Sequence, residues 1–135
     1  MILASAALCM ALNIYMEARG ESLMGQIAVA EVTMNRADHN PQNVCKVVVK
    51  SDQFSWTKHR LYEHRHHYYL RHKYLPREKA AWKLAQAVAY FTLKGLTPDP
   101  THGARFYHAN YVNPRWDNDM RLVTVIGRHE FYAMR

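Results

Sequence analysis

The first twelve residues, MILASAALCMAL, carry no charged side chain and are almost wholly apolar. The run is too short to cross a bilayer, which takes about 20 apolar residues. No Lys or Arg precedes it, so the basic start of a secretion signal is missing. We therefore predict a buried helix over residues 2–18. The other residues of this 135-residue chain must cover that helix, so we expect a single domain over residues 1–135.

Composition limits the class of partner. Apolar residues make up 49% of the chain, which is typical of a packed globule and not of a disordered chain. Eighteen Lys and Arg against eleven Asp and Glu give a formal charge of +7. That excess predicts an acidic partner: nucleic acid, an anionic membrane or a polyanionic cell envelope. The two cysteines, Cys9 and Cys45, are either buried thiols or the two ends of one disulfide.

Helical signals dominate the first 95 residues. Ser22 can cap a second helix that runs to about Arg36, and Asn40 with Pro41 can start a third that runs through Val49. Pro76 opens an amphipathic pattern that ends at Gly95. The predicted apolar stripe of this last helix consists of Ala81, Leu84, Ala85, Val88 and Phe91.

After Gly95 the pattern changes to short strands. The segments RFYHA, LVTVI and HEFYAM are β-branched or aromatic, and Gly127-Arg128 can turn the last two into a hairpin. Helices first and strands last predict an α+β domain that is mainly helical, with a small antiparallel sheet near the C-terminus.

A charged cluster, EARGE, follows the apolar run. Glu17 stands where the helix ends, and both burial and the negative end of the helix dipole disfavour its charged form. A carboxyl that is still protonated near neutral pH can act as a general acid. Glu21 shares a face with Glu17 if the helix continues through Gly20. The alternative is that both glutamates are ordinary polar residues paired with Arg19 or Arg36.

The order of several motifs extends this argument. ALNIYMEARGESLMGQIAVAEVTMNR is followed by Pro41 with VCKVV, by QFSW, by DPTHGARFYHA, by PRW and by IGRHEFY. Together these segments, from about residue 8 to residue 132, resemble the spore cortex-lytic, or SleB-like, cell wall hydrolase family. The resemblance implies a lysozyme-like α+β fold.

The same resemblance implies a reaction. Members cleave the β-1,4 bond between N-acetylmuramic acid and N-acetylglucosamine in peptidoglycan glycan strands, and many act as lytic transglycosylases. In these enzymes one glutamate serves as acid and then as base, and the 6-hydroxyl of the sugar closes a 1,6-anhydro ring. The first glutamate of EARGE corresponds to Glu17, and neither a cofactor nor a metal is implied. The alternatives are a hydrolytic muramidase and a non-catalytic basic module that binds nucleic acid or another polyanion.

Besides Glu17, six residues are candidates for the substrate site. In QFSW, Gln53 and Ser55 are expected to face substrate and Trp56 to stack on sugar, unless Phe54 and Trp56 both lie in the core. Strand alternation puts Tyr107 and His108 on opposite faces, so both are not expected to line one groove. Either of them is a candidate sugar contact. Glu21 is expected to hydrogen-bond or orient groups near the substrate.

Residues 59–74, HRLYEHRHHYYLRHKY, combine five histidines with much positive charge. A metal at Glu63, His64 and His67 is not expected, because the spacing is not compact and neighbouring cations repel a metal ion. Basic residues between tyrosines can also grip nucleic acid. We expect a solvated basic helix with inward tyrosines, and next to that a docking surface for envelope polyanions. No nucleic-acid partner is expected, and the chain is expected to be a monomer.

A basic catalytic domain without an evident signal resembles a phage endolysin. Such an enzyme is made in the host cytoplasm and reaches the cell wall after a holin opens the membrane.

Overall fold

A computed structural model describes residues 1–50 and 54–135. The helices are α1 (Ala6–Ala18), α2 (Leu23–Arg36), α3 (Val44–Val49), α4 (Thr57–Arg60) and α5 (Lys79–Leu93). The strands are β1 (Leu61–His64), β2 (His67–Leu70), β3 (Phe106–Ala109), β4 (Met120–Ile126) and β5 (His129–Met134). Short 3₁₀ turns cover Pro41–Asn43, His72–Tyr74 and Arg115–Asp119. Among the described residues, no helix is long and apolar enough to traverse a membrane. The predicted α+β class is confirmed.

Helix α1 is the buried central helix that its composition predicts. Its residues Cys9–Tyr15 are all buried, and the Ser5 hydroxyl caps its start by accepting a hydrogen bond from the Leu8 N–H at 3.1 Å. The helix begins at Ala6 and not at residue 2. The residues before Ser5 are extended because their backbone pairs with strand β2, where the Leu3 N–H donates to the Tyr68 carbonyl at 2.9 Å.

The next two helices follow their predicted caps. The Ser22 hydroxyl accepts from the Gly25 N–H at 3.1 Å and starts α2. The Asn40 side chain starts the turn that leads into α3. A disulfide between Cys9 and Cys45 joins α1 to α3, which decides between the two roles considered for the cysteines.

The predicted stripe of α5 is partly wrong. Ala85 and Val88 are buried as predicted, but Leu84 is 40% exposed and Phe91 is 48% exposed. The buried face is made of small residues, which let α5 pack closely along α1. These buried residues are Ala85, Val88, Ala89 and Thr92. Gly95, with a φ of +73°, ends the helix as predicted, one residue after the C-cap.

Residues 59–74 do not form the predicted basic helix. After the single turn of α4 they form an antiparallel hairpin of β1 and β2. Arg65 and His66 adopt left-handed backbone angles between paired His64 and His67, which is the geometry of a two-residue hairpin turn. The rings of Tyr62 and Tyr69 stack across the strands at 5.3 Å. Cross-strand aromatic pairs of this kind favour a sheet.

The C-terminal strands form the predicted antiparallel sheet, in the order β3-β5-β4. Gly127-Arg128 is the turn between β4 and β5, as predicted. The sheet packs against α2 through a small second core that is separate from the larger core around α1. This second core contains Ala18, Ala28, Val29, Val32, Ala104 and Phe131.

Candidate active site

A cleft of about 1090 Å³ opens beside the C-terminal end of α1. Its walls come from α1, α2, residues 54–60, β3 and residues 111–116. This volume suits a ligand of several rings, and a concave site of such size is the usual place for substrate. Among the described residues that line the cleft, Glu17 is the only carboxylic acid.

Glu17 lies in the last turn of α1 and faces the cleft. Burial of its carboxyl raises the pKa of Glu17 to about 7, although Tyr107 and the positive charge of Arg60 favour the ionised form. The rise predicted from the position of Glu17 is therefore present, with burial as its main cause. A carboxyl with this pKa is partly protonated at neutral pH, and it can both give and accept a proton.

The Tyr107 hydroxyl lies next to Glu17 at the floor of the cleft. Burial and the neighbouring Glu17 hold the pKa of Tyr107 well above its usual range, so the phenol stays neutral. The hydroxyl is buried, and its polar neighbours are the side chains of Glu17 and Asn13. A hydrogen bond from this neutral phenol favours the ionised form of Glu17, so Tyr107 can stabilise a Glu17 carboxylate.

Asn13 supports this floor from within α1. Its Oδ1 accepts a hydrogen bond from the Trp56 Nε1 at 2.8 Å, and its Nδ2 donates to the Thr33 hydroxyl at 3.3 Å. Asn13 is fully buried, one helical turn before Glu17. It thereby ties the helix that carries the acid to the segment that forms one wall of the cleft.

The QFSW segment behaves differently from the prediction. Ser55 is exposed and lines the cleft, as expected for a residue that faces substrate. Trp56 also borders the cleft but is only 5% exposed, and its indole N–H is already bonded to Asn13. A ring that is packed in the core cannot offer a face to a sugar, so the predicted stacking role of Trp56 is corrected. Gln53 lies outside the described residues.

Tyr107 and His108 both border the cleft, contrary to the expectation that only one would. The imidazole of His108 is held by its own neighbours. Its Nε2 lies 3.1 Å from the Tyr132 hydroxyl and 3.3 Å from Asp117 Oδ2, and its Nδ1 lies 2.8 Å from the Ala109 carbonyl. Both ring nitrogens are therefore occupied, and His108 is 8% exposed. It shapes the wall of the cleft, whereas Tyr107 faces the acid.

Glu21 does not share a face with Glu17, because α1 ends at Ala18 and does not continue through Gly20. It is absent from the cleft lining among the described residues. Its Oε1 accepts from the Arg128 backbone N–H at 2.7 Å, and its Oε2 accepts from the Arg128 Nε at 3.1 Å. The predicted partners, Arg19 and Arg36, are not the ones observed, and the predicted substrate contact is replaced by a contact with the hairpin turn.

The electrostatics of Glu21 agree with a structural role. Burial raises its pKa, but the hydrogen bonds from Arg128 and the charges of His129 and Arg128 outweigh burial, so the pKa of Glu21 is below its usual value. Glu21 is thus an ionised anchor that fastens the β4–β5 turn to the junction of α1 and α2. Its side chain is only 6% exposed.

We expect Gly127→Ala to destabilise the protein through this anchor. Gly127 has a φ of +57°, which strains any other residue by about 1–3 kcal/mol. A Cβ at this position would also lie 2.5 Å from Glu21 Oε1, so the carboxylate would have to move. The measurement is the free energy of unfolding in urea.

Gly95→Ala is the matched control for this prediction. Gly95 has a similar φ of +73°, but a Cβ there meets no described atom within 4 Å. Gly127→Ala is therefore expected to cost more than Gly95→Ala by about 1 kcal/mol or more, because it also disturbs the charge-assisted hydrogen bond from the Arg128 N–H to Glu21. Equal costs would show that the Glu21 contact contributes nothing.

Several residues of the site were not singled out from the sequence. Arg36, Arg60 and Arg105 line the cleft, and Asn13 supports it. Asn13 had a signal, because it is a lone amide inside an otherwise apolar helix, and such a group must find partners. No sequence signal indicates the three arginines, because only the packing of α2, α4 and the residues just before β3 brings them together in the cleft.

A cleft with one protonatable carboxyl and no second acid among its described lining residues defines a site for acid-catalysed bond cleavage. A family model described as Cell Wall Hydrolase matches residues 20–132. The chain belongs to this cell wall hydrolase family, whose substrate is peptidoglycan. Glu17 lies three residues before the matched range. No curated protein is significantly similar to the chain in sequence.

Two solved structures are similar to nearly the whole chain. The catalytic domain of Bacillus cereus SleB is 25% identical, with a TM-score of 0.65, over 95% of this chain and 89% of that chain. The catalytic domain of the germination-specific lytic transglycosylase SleB from Bacillus anthracis is 26% identical, with a TM-score of 0.70, over 95% and 93%. These matches agree with the α+β fold and with a peptidoglycan-cleaving enzyme.

Proposed function

We propose that the chain is a lytic transglycosylase that cleaves the bond between N-acetylmuramic acid and N-acetylglucosamine, with Glu17 as its acid and base. The observation that carries this proposal is that Glu17, with a pKa of about 7, is the one carboxyl among the described residues that line the cleft. The similar Bacillus anthracis enzyme is itself named a lytic transglycosylase, which supports the same reaction here.

The proposed reaction needs one carboxyl. Protonated Glu17 gives its proton to the bridging oxygen, and the bond from that oxygen to C1 of the muramic acid breaks. The resulting carboxylate then takes the proton of the 6-hydroxyl, whose oxygen bonds to C1 and closes the 1,6-anhydro ring. Glu17 ends protonated again, and no water is consumed. The neutral Tyr107 hydroxyl can donate a hydrogen bond to an oxygen that gains negative charge in this step.

The placement of Glu21 supports this route over the two-carboxylate routes. Glycosidases with two carboxyls hold them on either side of the bond, about 5–9.5 Å apart. Glu21 is the nearest acid in sequence, and its carboxylate is bonded to Arg128 away from the cleft lining. A hydrolytic muramidase is the competing reaction, in which water replaces the 6-hydroxyl.

The masses of the products distinguish the two reactions. Purified sacculi are digested with the protein, and the soluble fragments are analysed by mass spectrometry without chemical reduction. Fragments that end in 1,6-anhydromuramic acid are expected. Fragments that end in reducing muramic acid, each heavier by one water, would instead identify a muramidase.

The pH dependence of the rate follows from the pKa of Glu17. The first step needs the protonated carboxyl, so kcat/KM is expected to fall about tenfold per pH unit above about pH 7. The measurement is the initial rate of sacculus solubilisation from pH 5 to 9 at constant ionic strength. With an ordinary glutamate pKa of 4.5 the rate would already fall tenfold per pH unit from pH 5 upwards, and that result would contradict the raised pKa of Glu17.

We also propose that the β1–β2 hairpin docks on anionic polymers of the cell envelope. Its turn residues His64–His67 are exposed, and the Arg71 guanidinium lies over the exposed ring of Tyr62 at 5.3 Å. Arg65→Gln/Arg71→Gln is expected to weaken co-sedimentation with intact walls at low salt without changing the rate on soluble glycan fragments. Unchanged wall binding would refute this docking role.

A further inference from the structure

The described residues that line the cleft carry more positive than negative charge. Besides the single acid Glu17 they include four Lys and Arg side chains, which are Arg36, Lys58, Arg60 and Arg105. The repeating sugars of peptidoglycan present hydroxyl and acetamido groups, which need no cation. The carboxylates of the polymer are on the peptide stems that branch from muramic acid. The charge of the cleft therefore points to a part of the substrate other than the sugar backbone.

Arg36 and Arg105 form the closest pair among these cations. Arg36 Nη1 donates to the backbone carbonyl of Arg105 at 3.1 Å, and its guanidinium lies over the Phe106 ring at 5.0 Å. These two contacts fix the planar group while leaving other N–H donors free. Burial and then the positive charge of Arg105 lower the pKa of Arg36, which is the effect expected of two like charges held together.

The charges of this pair are poorly compensated. Within the described parts of the chain, Arg36 forms no ion pair, and Arg105 contacts only Asp38, at 3.2 Å. Both side chains of that ion pair are exposed, 43% for Arg105 and 76% for Asp38, and exposed pairs of this kind are weak. A substrate carboxylate can therefore compete for Arg105 while it binds Arg36 through charge-assisted hydrogen bonds.

The pair also lies close to the chemistry. Both arginines line the same cleft as Glu17 and Tyr107, and the charge of Arg36 acts on Tyr107 as that of Glu17 does. Arg105 precedes Tyr107 by two residues and lies immediately before strand β3. A muramic acid whose glycosidic oxygen reaches Glu17 can thus direct its peptide stem towards the two arginines.

We propose that Arg36 and Arg105 bind a carboxylate of the peptide stem and thereby select glycan strands that carry charged stems. This inference rests on the proposed cleavage at muramic acid, and it makes the peptide stem the part of the polymer that determines specificity. Guanidinium groups suit the role because their forked donors match the two oxygens of a carboxylate.

The first test compares two substrates with the wild-type protein. One is native sacculi, and the other is the same sacculi with stem carboxylates converted to primary amides by a carbodiimide and ammonia. We expect kcat/KM to be about tenfold higher or more on the native form, mainly through KM. Equal rates on both forms would overturn the inference but leave the cleavage reaction in place. Failure to cleave either form would overturn the proposed function instead.

The second test uses variants of the pair. Arg36→Gln/Arg105→Gln should slow much more on native sacculi than on amidated sacculi, so that the ratio of the two kcat/KM values falls towards one. Arg105→Gln alone, which changes a side chain that is 43% exposed, should also reduce the preference for native sacculi. Arg36→Lys/Arg105→Lys should keep part of that preference. Arg121→Gln, an exposed arginine on β4, is the control. If the double variant still preferred native over amidated sacculi, other residues would have to bind the stem carboxylate.

Discussion

Glu17→Gln is expected to lower the rate of peptidoglycan solubilisation by a factor of about 10²–10⁴, the usual contribution of a general acid. The amide has nearly the shape of the carboxyl but cannot give a proton to the bridging oxygen. Because Glu17 is the only acid among the described residues of the cleft lining, no neighbour is placed to replace it. The measurement is the initial rate of sacculus solubilisation at pH 6, where the wild-type carboxyl is mostly protonated.

The same substitution is expected to raise stability at high pH. The folded pKa of Glu17 is about 7 and its usual value is 4.5, so between these values the folded protein holds a proton that the unfolded chain releases. The wild-type free energy of unfolding therefore falls as pH rises from about 4.5 to 7, and the amide removes this fall. The Tm of Glu17→Gln minus that of the wild type should increase from pH 5 to pH 8.

Measuring both the rate and the Tm of each variant distinguishes a loss of catalysis from a loss of stability. Asp119→Asn makes the same carboxylate-to-amide change at an exposed position outside the cleft lining, and it should leave both rate and Tm unchanged. A Glu17→Gln protein that retains full activity would remove Glu17 from the mechanism. A lower Tm at every pH would mean that the carboxyl has a structural role.

Loss of the Cys9–Cys45 disulfide is expected to destabilise the protein by about 3–4 kcal/mol. The two cysteines are separated by 36 positions, and the chain-entropy estimate for a closed loop of that length is in this range. For a domain of this size, the corresponding fall in Tm is about 10–15 °C. The measurement is the Tm of Cys9→Ala/Cys45→Ser, in which alanine suits the fully buried position.

A reducing agent supplies the control for the disulfide. It should lower the Tm of the wild type towards that of the double variant, and it should leave the variant unchanged. Both proteins should yield the same anhydro products well below their Tm, because the cysteines do not line the cleft among its described residues. A wild-type Tm that is insensitive to reduction would show that the bond contributes little.

The sequence predicted those features of the fold that depend on residues close together in the chain. The caps at Ser22 and Asn40, the turn at Gly127-Arg128 and the buried α1 all depend on neighbours in sequence, and all are observed. The raised pKa of Glu17 was predictable for the same reason, since an acid at the end of an apolar helix is desolvated.

The errors concern contacts between distant segments. The basic helix predicted for residues 59–74 is wrong, because the cross-strand stack of Tyr62 on Tyr69 favours a hairpin. Glu21 was assigned to the substrate because its partner, Arg128, is 107 positions away and no short-range pattern indicates it. The arginine pair on α2 and β3 was missed for the same reason, because only tertiary packing brings it together.

The division of the interior into two cores has a consequence for heat inactivation. The helical core around α1 is large and cross-linked, whereas the sheet is attached through the small second core and the Glu21 anchor. The acid lies on α1 and Tyr107 lies on the sheet, where its ring packs against both cores. Activity requires the sheet to stay in contact with the helical core. Separation of the sheet alone is therefore enough to abolish activity. Mild heating should therefore abolish lysis while most of the helical circular dichroism signal is still present.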